Sequence, residues 1–264
     1  MIILTRAHGF IGTNFWRFLE LQGKDLFRVE KENHLNFRAT FKNWDKVELI
    51  IHQGAISSTV ETNLKSIFSN NIDFSQWLFE KAIKYDIPVK YASSASVYGN
   101  EQGIINPLNY YALSKATVDY WVKDNMHRFS HIQGFRYFNV YGEFERIKGD
   151  QASPVTKFTK EILDTGKLKL FEGSDKFFRD FICVDDIIDI VLNNEKGSGI
   201  YDLGTSNPVS FQHVAECVAE KYDGEIEYVP FPDHLKGKYQ TYTCAKKEWG
   251  DYKFMTVQEY LAAS

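Results

Sequence analysis

Tyr111 and Lys115 stand four residues apart in the stretch Asn109-Tyr-Tyr-Ala-Leu-Ser-Lys115. Residues i and i+4 share one face of a helix, so the lysine ammonium can lie beside the phenol. A phenol ordinarily titrates near 10, and an adjacent ammonium together with an oxidised nicotinamide would lower that toward the working pH. A tyrosine so placed can take the proton of an alcohol as hydride leaves the same carbon. The spacing alone is cheap, because Tyr242 and Lys246 repeat it. What sets the first pair apart is the serine-rich run just upstream, Tyr91-Ala-Ser-Ser-Ala-Ser-Val-Tyr-Gly99, where Ser94 could hydrogen-bond the reacting oxygen. Taken singly, such serines would read as hydroxyls that satisfy backbone groups at a strand end.

Hydride chemistry needs an acceptor, and the N-terminus offers a place for one. The apolar run Ile2-Ile-Leu4 leads into Thr5-Arg-Ala-His-Gly-Phe-Ile-Gly12 and then a helical pattern. Gly9 and Gly12 have the spacing of the last two glycines in a dinucleotide loop, where backbone amides approach a pyrophosphate at a helix N-terminus. The first glycine position holds Arg6, although the tight turn there asks for a positive φ that only glycine reaches without strain. An ordinary strand-to-helix turn with two packing glycines is the alternative. Glu30, at the end of the next strand pattern, stands where an acidic residue binds an adenosine ribose. Lys31 beside it, with Arg6, could instead satisfy a 2′-phosphate, which favours NADP while leaving NAD open; a solvated surface lysine is the plain reading of Lys31.

The elements that must position these groups alternate. Strands are predicted at Ile2–Leu4, Leu26–Glu30, Leu49–His52, Val89–Ser93 and Ile132–Tyr137, and helices at Phe10–Leu21, roughly Asn71–Tyr85 and about Tyr110–Phe129. That rhythm implies βαβ units and a parallel sheet with its ligand edge at the strand C-termini. Past about Gly142 the elements shorten: a helix over Pro154–Thr165, the loop Phe171–Ser174, a helix over Asp185–Leu192, and helices capped by Ser210 and Thr256. The expected class is α/β, a Rossmann-type doubly wound parallel sheet over residues 1–142 with a smaller C-terminal substrate-binding lobe over 143–264, some of whose segments return to the first domain.

The chain has 264 residues, 44% hydrophobic and 25% charged, with a net charge of −4. That is enough for a sizeable core and argues against disorder. Slight acidity argues against nucleic acid as a partner. No apolar run approaches the roughly 20 residues of a membrane helix, and no leader is read, so a cytoplasmic protein is expected. Cys183, Cys217 and Cys244 fit neither a disulfide framework nor a zinc pattern, and the seven histidines lack ligand spacing, so no metal is expected.

Loop, serine strand and Tyr-x-x-x-Lys, in this order, resemble the extended short-chain dehydrogenase/reductase family of nucleotide-sugar epimerases and dehydratases. Gly54-Ala-Ile-Ser-Ser-Thr59, Asn109–Lys115, Gly134-Phe-Arg-Tyr-Phe-Asn-Val-Tyr-Gly142, Leu170-Phe-Glu-Gly-Ser174, Phe178-Arg-Asp-Phe181 and Tyr228–Gln240 are similar to the branch that inverts C6 of an ADP-linked heptose. The resemblance implies transient oxidation to a ketone by tightly held NADP, with ADP-heptose as substrate and a homo-oligomeric state. It gives Tyr111 and Lys148 the two acid/base positions, Lys115 the cofactor lysine and Ser94 the hydroxyl beside the reacting oxygen. Cofactor contacts then fall on Phe10, Ile11, Glu30, Lys31, Gln53, Gly54, Ala55, Ile56, Ser57, Asn70, Val140 and Lys148. Substrate contacts fall on Asn139, Asp150, Lys157, Phe171, Glu172, Gly173, Ser174, Arg179 and Tyr239, with Arg179 as a diphosphate clamp. Arg6 departs from the family's loop, the segment after Glu30 is shortened so that Arg38 is the remaining 2′-phosphate counterpart, and Asp150 and Lys157 replace a serine and a histidine. These departures keep two other readings open: another nucleotide-sugar 4-epimerase or reductase, or a degenerate dinucleotide-binding protein.

Overall fold

The computed structural model describes residues 1–54, 56–59, 61–101, 103–233 and 240–264. In chain order the elements are β1 Ile2–Thr5, α1 Phe10–Leu21, β2 Leu26–Val29, α2 His34–Thr40, β3 Leu49–His52, α3 Leu64–Ile67, α4 Phe74–Tyr85, β4 Val89–Ser94, α5 Tyr110–Asn125, β5 Ile132–Tyr137 and β6 Asn139–Tyr141. There follow α6 Pro154–Thr165, β7 Lys167–Phe171, β8 Phe178–Arg179, β9 Phe181–Cys183, α7 Val184–Asn193, β10 Gly199–Leu203, β11 Val209–Ser210, α8 Phe211–Tyr222, β12 Glu225–Val229 and α9 Val257–Ala263. They form two compact units, Met1–Tyr137 with Ile188–Tyr201, and Phe138–Ile187 with Asp202–Ser264.

The first unit carries a six-stranded sheet in the order β10-β5-β4-β3-β1-β2, and the pairs from β2 through β5 are parallel. All four residues of β1 are buried, as a strand covered on both faces requires. From β1 the chain winds outward to β2, then returns to the other side for β3, β4 and β5. The order therefore reverses between β1 and β3, and ligands of such sheets bind outside the strand C-termini at that point. Ile3, Ile50, Leu78, Phe79, Val89 and Ile132 form the centre of the core. Gly134 on β5 has a packing reason: a Cβ there would lie 2.3 Å from the Tyr91 ring, which must cross this point for its hydroxyl to reach Asp119.

The second unit packs α6, α8 and α9 around Tyr141, Ile162, Leu168, Val214 and Leu261. Its strands are paired in twos: β12 with β7 and β6 with β9 in parallel, β11 with β8 antiparallel. Ser210 Oγ accepts from the His213 amide at 3.0 Å to start α8, and Thr256 with Glu259 forms a reciprocal capping box on α9.

α1, β3, β5, α6 and α8 have the bounds their patterns predict. The expected helix at 71–85 instead begins at Leu64 and passes through a π-helical turn at Phe68–Asp73 before α4. α5 ends at Asn125, and a 3₁₀ turn carries the chain to Arg128. Among the described residues no helix is long and apolar enough to cross a membrane, and no cluster of three or more His, Cys, Asp or Glu could hold a metal.

Candidate active site

Tyr111 occupies the first turn of α5, which starts where Asn109 Oδ1 accepts from the Ala112 amide at 2.8 Å. Ser94 closes β4, and its hydroxyl hydrogen-bonds the Tyr111 phenol. The preceding residue, Ser93, donates to Asp119 Oδ2, farther along the same helix, at 3.0 Å. Lys115 is buried beneath, its Nζ 2.6 Å from the Ala92 carbonyl. Burial lowers the Lys115 ammonium to about 8, against the pull of the Asp119 carboxylate. Burial raises Tyr111, with the Ser94 hydrogen bond opposing it. Burial is the larger of the two influences on the phenol, and the Lys115 ammonium is bonded to the Ala92 carbonyl.

At the reversal point between β1 and β3, Arg6 adopts φ +56°, the left-handed conformation its loop position demands. The Gly9 amide donates to the Arg6 carbonyl at 3.0 Å. A Cβ on Gly12 would lie 1.9 Å from that carbonyl oxygen, so only glycine lets α1 start this close to the turn. The N-terminus of α1 carries Phe10, buried, and Ile11, half-buried. Beside it opens a small cleft whose lining includes Arg6, Glu30, Lys31, Gly54, Ile56 and Asn70. Burial raises the Glu30 carboxyl although its oxygen accepts from the His8 amide at 3.1 Å. Lys31 is exposed, and His34 and Phe74 join the wall. Arg38 lies over the Trp77 ring at 5.2 Å and does not line the cleft.

A directional chain of hydrogen bonds supports this edge. The Gly54 amide donates to Thr5 Oγ1 at 2.8 Å, and Thr5 Oγ1 lies 2.8 Å from His52 Nδ1. On the other side His52 Nε2 lies 2.8 Å from Ser75 Oγ, which itself donates to the Asn71 carbonyl. Because the Ser75 proton is committed to Asn71, Nε2 must carry the imidazole proton and Nδ1 must accept from Thr5. Burial, reinforced by the Lys115 charge, drives His52 down to about 3, so the ring is neutral. Asn71 extends the chain. Its amide exchanges bonds with the Ile56 backbone and donates to Ser114 Oγ on α5. Gln53 donates to the Tyr137 hydroxyl at 3.1 Å, while its Oε1 is buried without a protein donor. Ser57 is exposed and Asn70 half-buried.

In the second unit Lys148 sits on a 3₁₀ turn, Glu145–Gln151, with Nζ 3.6 Å from Glu145 Oε1. Glu145 is buried and accepts from the Ser153 amide, the Ser153 hydroxyl and Thr156. Asp150 is exposed on the same turn; Val140 is buried and Asn139 half-buried on β6. Lys157, Phe171 and Ser174 share a pocket with Lys169, Phe177 and Phe211. Glu172 and Gly173 are exposed after β7. Arg179 is buried, donating to the Phe178 carbonyl at 2.9 Å and to that of Gln240, with its guanidinium over the Phe211 ring. Ala55 and Tyr239 lie outside the described residues.

The structure therefore groups Ser94, Tyr111 and Lys115 in one cluster, Arg6, Glu30, Lys31, Gly54, Ile56 and Asn70 around one cleft, and Lys157, Phe171 and Ser174 in another pocket. Sequence reasoning missed His52, Asn71, Asp119, Arg136, Glu145 and Lys169. Only Asp119 had a signal, its place four residues after Lys115 on the same helical face.

A doubly wound parallel sheet with a half-buried Tyr and Ser beside a buried Lys agrees with the family assignment: the sequence profile of the NAD dependent epimerase/dehydratase family matches residues 2–204, and the chain belongs to that family. The ADP-L-glycero-D-manno-heptose-6-epimerase of Brachyspira hyodysenteriae is 39% identical over 283 aligned residues, covering 93% of this chain and 89% of that protein. The crystal structure of the Helicobacter pylori ADP-L-glycero-D-manno-heptose-6-epimerase superposes with a TM-score of 0.84 at 23% identity, covering 99% and 94% of the two chains. A UDP-glucose 4-epimerase from Thermotoga maritima, solved with UDP-glucose, gives 0.79 at 21% identity, covering 98% and 96%. The two solved structures share this fold.

Proposed function

We propose that this chain is an NADP-dependent epimerase that inverts C6 of ADP-D-glycero-β-D-manno-heptose. The observation that carries the reading is the Ser94–Tyr111–Lys115 cluster at the edge of a nucleotide-binding sheet, together with 39% identity to a heptose epimerase. A bound nicotinamide supplies reversible hydride acceptance. The residues around the cleft fit such a group: the N-terminus of α1 for a pyrophosphate, Glu30 for ribose hydroxyls, and Arg6 with Lys31 for a 2′-phosphate. Gln53 Oε1 adds a buried acceptor for a ligand donor.

Tyr111, once ionised, takes the hydroxyl proton as hydride leaves C6, and Ser94 donates to the oxygen that becomes the ketone. Burial raises the phenol's proton affinity, and this reading gives Lys115 the task of opposing it, together with the bound cofactor. Inverting C6 asks for proton traffic on both sides of the carbon, and this reading gives the second side to Lys148. The pocket with Lys157, Lys169 and Phe171 suits a nucleoside diphosphate, since it pairs cations with aromatic faces. Exposed Tyr110, Leu113 and Tyr120 along α5 support the homo-oligomeric part of the reading, which light scattering tests.

The test is to incubate the purified protein and NADP with ADP-D-glycero-β-D-manno-heptose and resolve the C6 epimers. An epimer mixture without net NADPH is expected. No conversion with NADP retained would replace the substrate with another nucleotide sugar; no conversion and no bound nucleotide would replace the enzyme with a degenerate binder.

A further inference from the structure

Between β2 and α2 the chain folds back through hydrogen bonds to its own backbone. The Glu30 amide donates to Asn33 Oδ1 at 2.8 Å, and the Asn33 amide returns to the Glu30 carbonyl at 3.2 Å. His34 follows, half-buried, with Nδ1 2.6 Å from the Lys31 carbonyl. A carbonyl only accepts, so Nδ1 carries the ring proton and Nε2 of the neutral imidazole is an acceptor. The imidazole also makes a T-shaped contact with Phe74, the ring centroids 5.4 Å apart and the planes at 78°. The ring is thus held on two sides, while Nε2 has no hydrogen-bond partner among the described residues. His34 lines the same cleft as Arg6, Glu30 and Lys31, beside the apolar side chains of Val29, Ile56 and Phe74. Nothing in the proposed reaction has yet given this histidine a task.

We propose that His34 reads the adenine base of the dinucleotide, its Nε2 accepting a hydrogen bond from the 6-amino group. The inference rests on the proposed use of this cleft for a nicotinamide dinucleotide. In that reading Glu30 takes the ribose hydroxyls, and the base is joined to the same ribose, so it must lie against residues that flank Glu30. The turn that bonds Glu30 to Asn33 brings His34 to this place. Val29, Ile56 and Phe74 offer apolar surface to the faces of a flat ring. On the edge of adenine the 6-amino group is the donor and the ring nitrogens are acceptors, so an acceptor in the protein meets the base there. A 2′-phosphate is different: it is an anionic acceptor, which an unprotonated ring nitrogen repels, and it is left to Arg6 and Lys31. The histidine therefore does not stand in for Arg38, which lies over Trp77. The Lys31 carbonyl decides the outcome through the tautomer, because a proton on Nε2 would suit a 6-oxo base instead.

Equilibrium binding tests it without substrate. NADP, or NAD if the protein holds that form, is titrated against its hypoxanthine counterpart by calorimetry on the whole chain, at about pH 8, where imidazoles are ordinarily neutral. The parent should bind the adenine form about tenfold tighter, since hypoxanthine presents an acceptor where adenine presents a donor. His34→Asn keeps a donor for the Lys31 carbonyl but ends short of Nε2. It should weaken the adenine form by about the same factor, leave the hypoxanthine form unchanged and so bring the two affinities together. His34→Gln, whose amide accepts or donates, should also bring them together, but by tightening the hypoxanthine form. Should His34→Asn not fold, His34→Gln decides. A parent without preference, a preference that neither variant moves, or equal weakening of both forms would overturn the proposal, the last reducing His34 to a packing residue. Failure of the parent to bind either dinucleotide would remove the cofactor reading itself, whereas binding with an unmoved preference removes only the adenine assignment.

Discussion

The two acid/base groups of the proposed reaction live in unlike surroundings. Tyr111 is half-buried on the first turn of a sixteen-residue helix, joined to Ser94 and followed along the helix by the buried Lys115 and Asp119. Lys148 rides on a short 3₁₀ turn, its side chain 32% exposed, with buried Glu145 at 3.6 Å. In the first setting burial raises the phenol's proton affinity and the Ser94 hydrogen bond opposes it; in the second the side chain stands beside a buried carboxylate. An acid/base group joined to a network of fixed partners therefore depends on the integrity of that network, whereas one on a short turn depends on its own presence and on the residue that aims it.

That contrast can be broken most directly by removing each group. Tyr111→Phe should lower kcat by roughly 10³-fold while cofactor affinity and Tm hold, within the range of general acid–base catalysis. Lys148→Met should cost less, on the order of 10², because water reaches that side. Epimer ratios followed by NMR give both numbers, and a larger loss in Lys148→Met would invert the comparison. The next effect concerns Glu145. Glu145→Gln must turn an amide donor toward Ser153 or Thr156, which costs about 1–3 kcal/mol and lowers Tm by several degrees. Turnover should fall alongside, since Lys148 loses the charge that aims it; an unchanged Tm would show that the carboxylate does not hold the start of α6.

His52 sharpens the electrostatic side of the comparison. Its folded pKa, about 3, lies below the ordinary 6.5, so the unfolded chain binds the proton first on acidification. The stability contributed by the neutral ring is complete above about pH 6.5 and is lost as pH falls toward 3, at about 1.4 kcal/mol for each pH unit crossed between the two values. In thermal melts between pH 4 and 7, His52→Gln should show a shallower dependence than the parent, and parallel curves would disprove the assignment. The smallest effect is expected at Arg6. Replacing it with glycine relieves a left-handed non-glycine residue worth about 1–2 kcal/mol, so Tm should rise slightly. Affinity should move from NADP toward NAD, as measured by fluorescence titration.

How much of this was legible in the sequence depends on which forces placed each residue. Periodic elements were: Phe10–Leu21 and Ile132–Tyr137 announce themselves because a buried face repeats with the period of the element. Ser94, Tyr111 and Lys115 were also legible, because helix geometry and strand alternation bring them together over short sequence distance. The two-residue strands β8 and β11 were not, since two residues carry no period. The π-helical turn at Phe68–Asp73 was hidden for another reason: a π turn is a local departure from helical spacing, and the Asn71 contacts that accompany it come from Ile56 and Ser114, fifteen and forty-three residues away. The roles of His52 and Glu145 likewise exist only through partners that the folded chain supplies. Arg6 gives the opposite lesson. The residue type argued against a tight turn, and the backbone made the turn regardless.

The one-way run from Gly54 through Thr5 and His52 to Ser75 and Asn71 has a spectroscopic consequence. Because His52 is sealed in the core and its Nε2 proton is pledged to Ser75, that hydrogen should trade with solvent slowly enough to survive as a resolved imidazole resonance, far downfield of the amides. A change that loosens the nucleotide edge would be heard there first, in the lifetime of one proton.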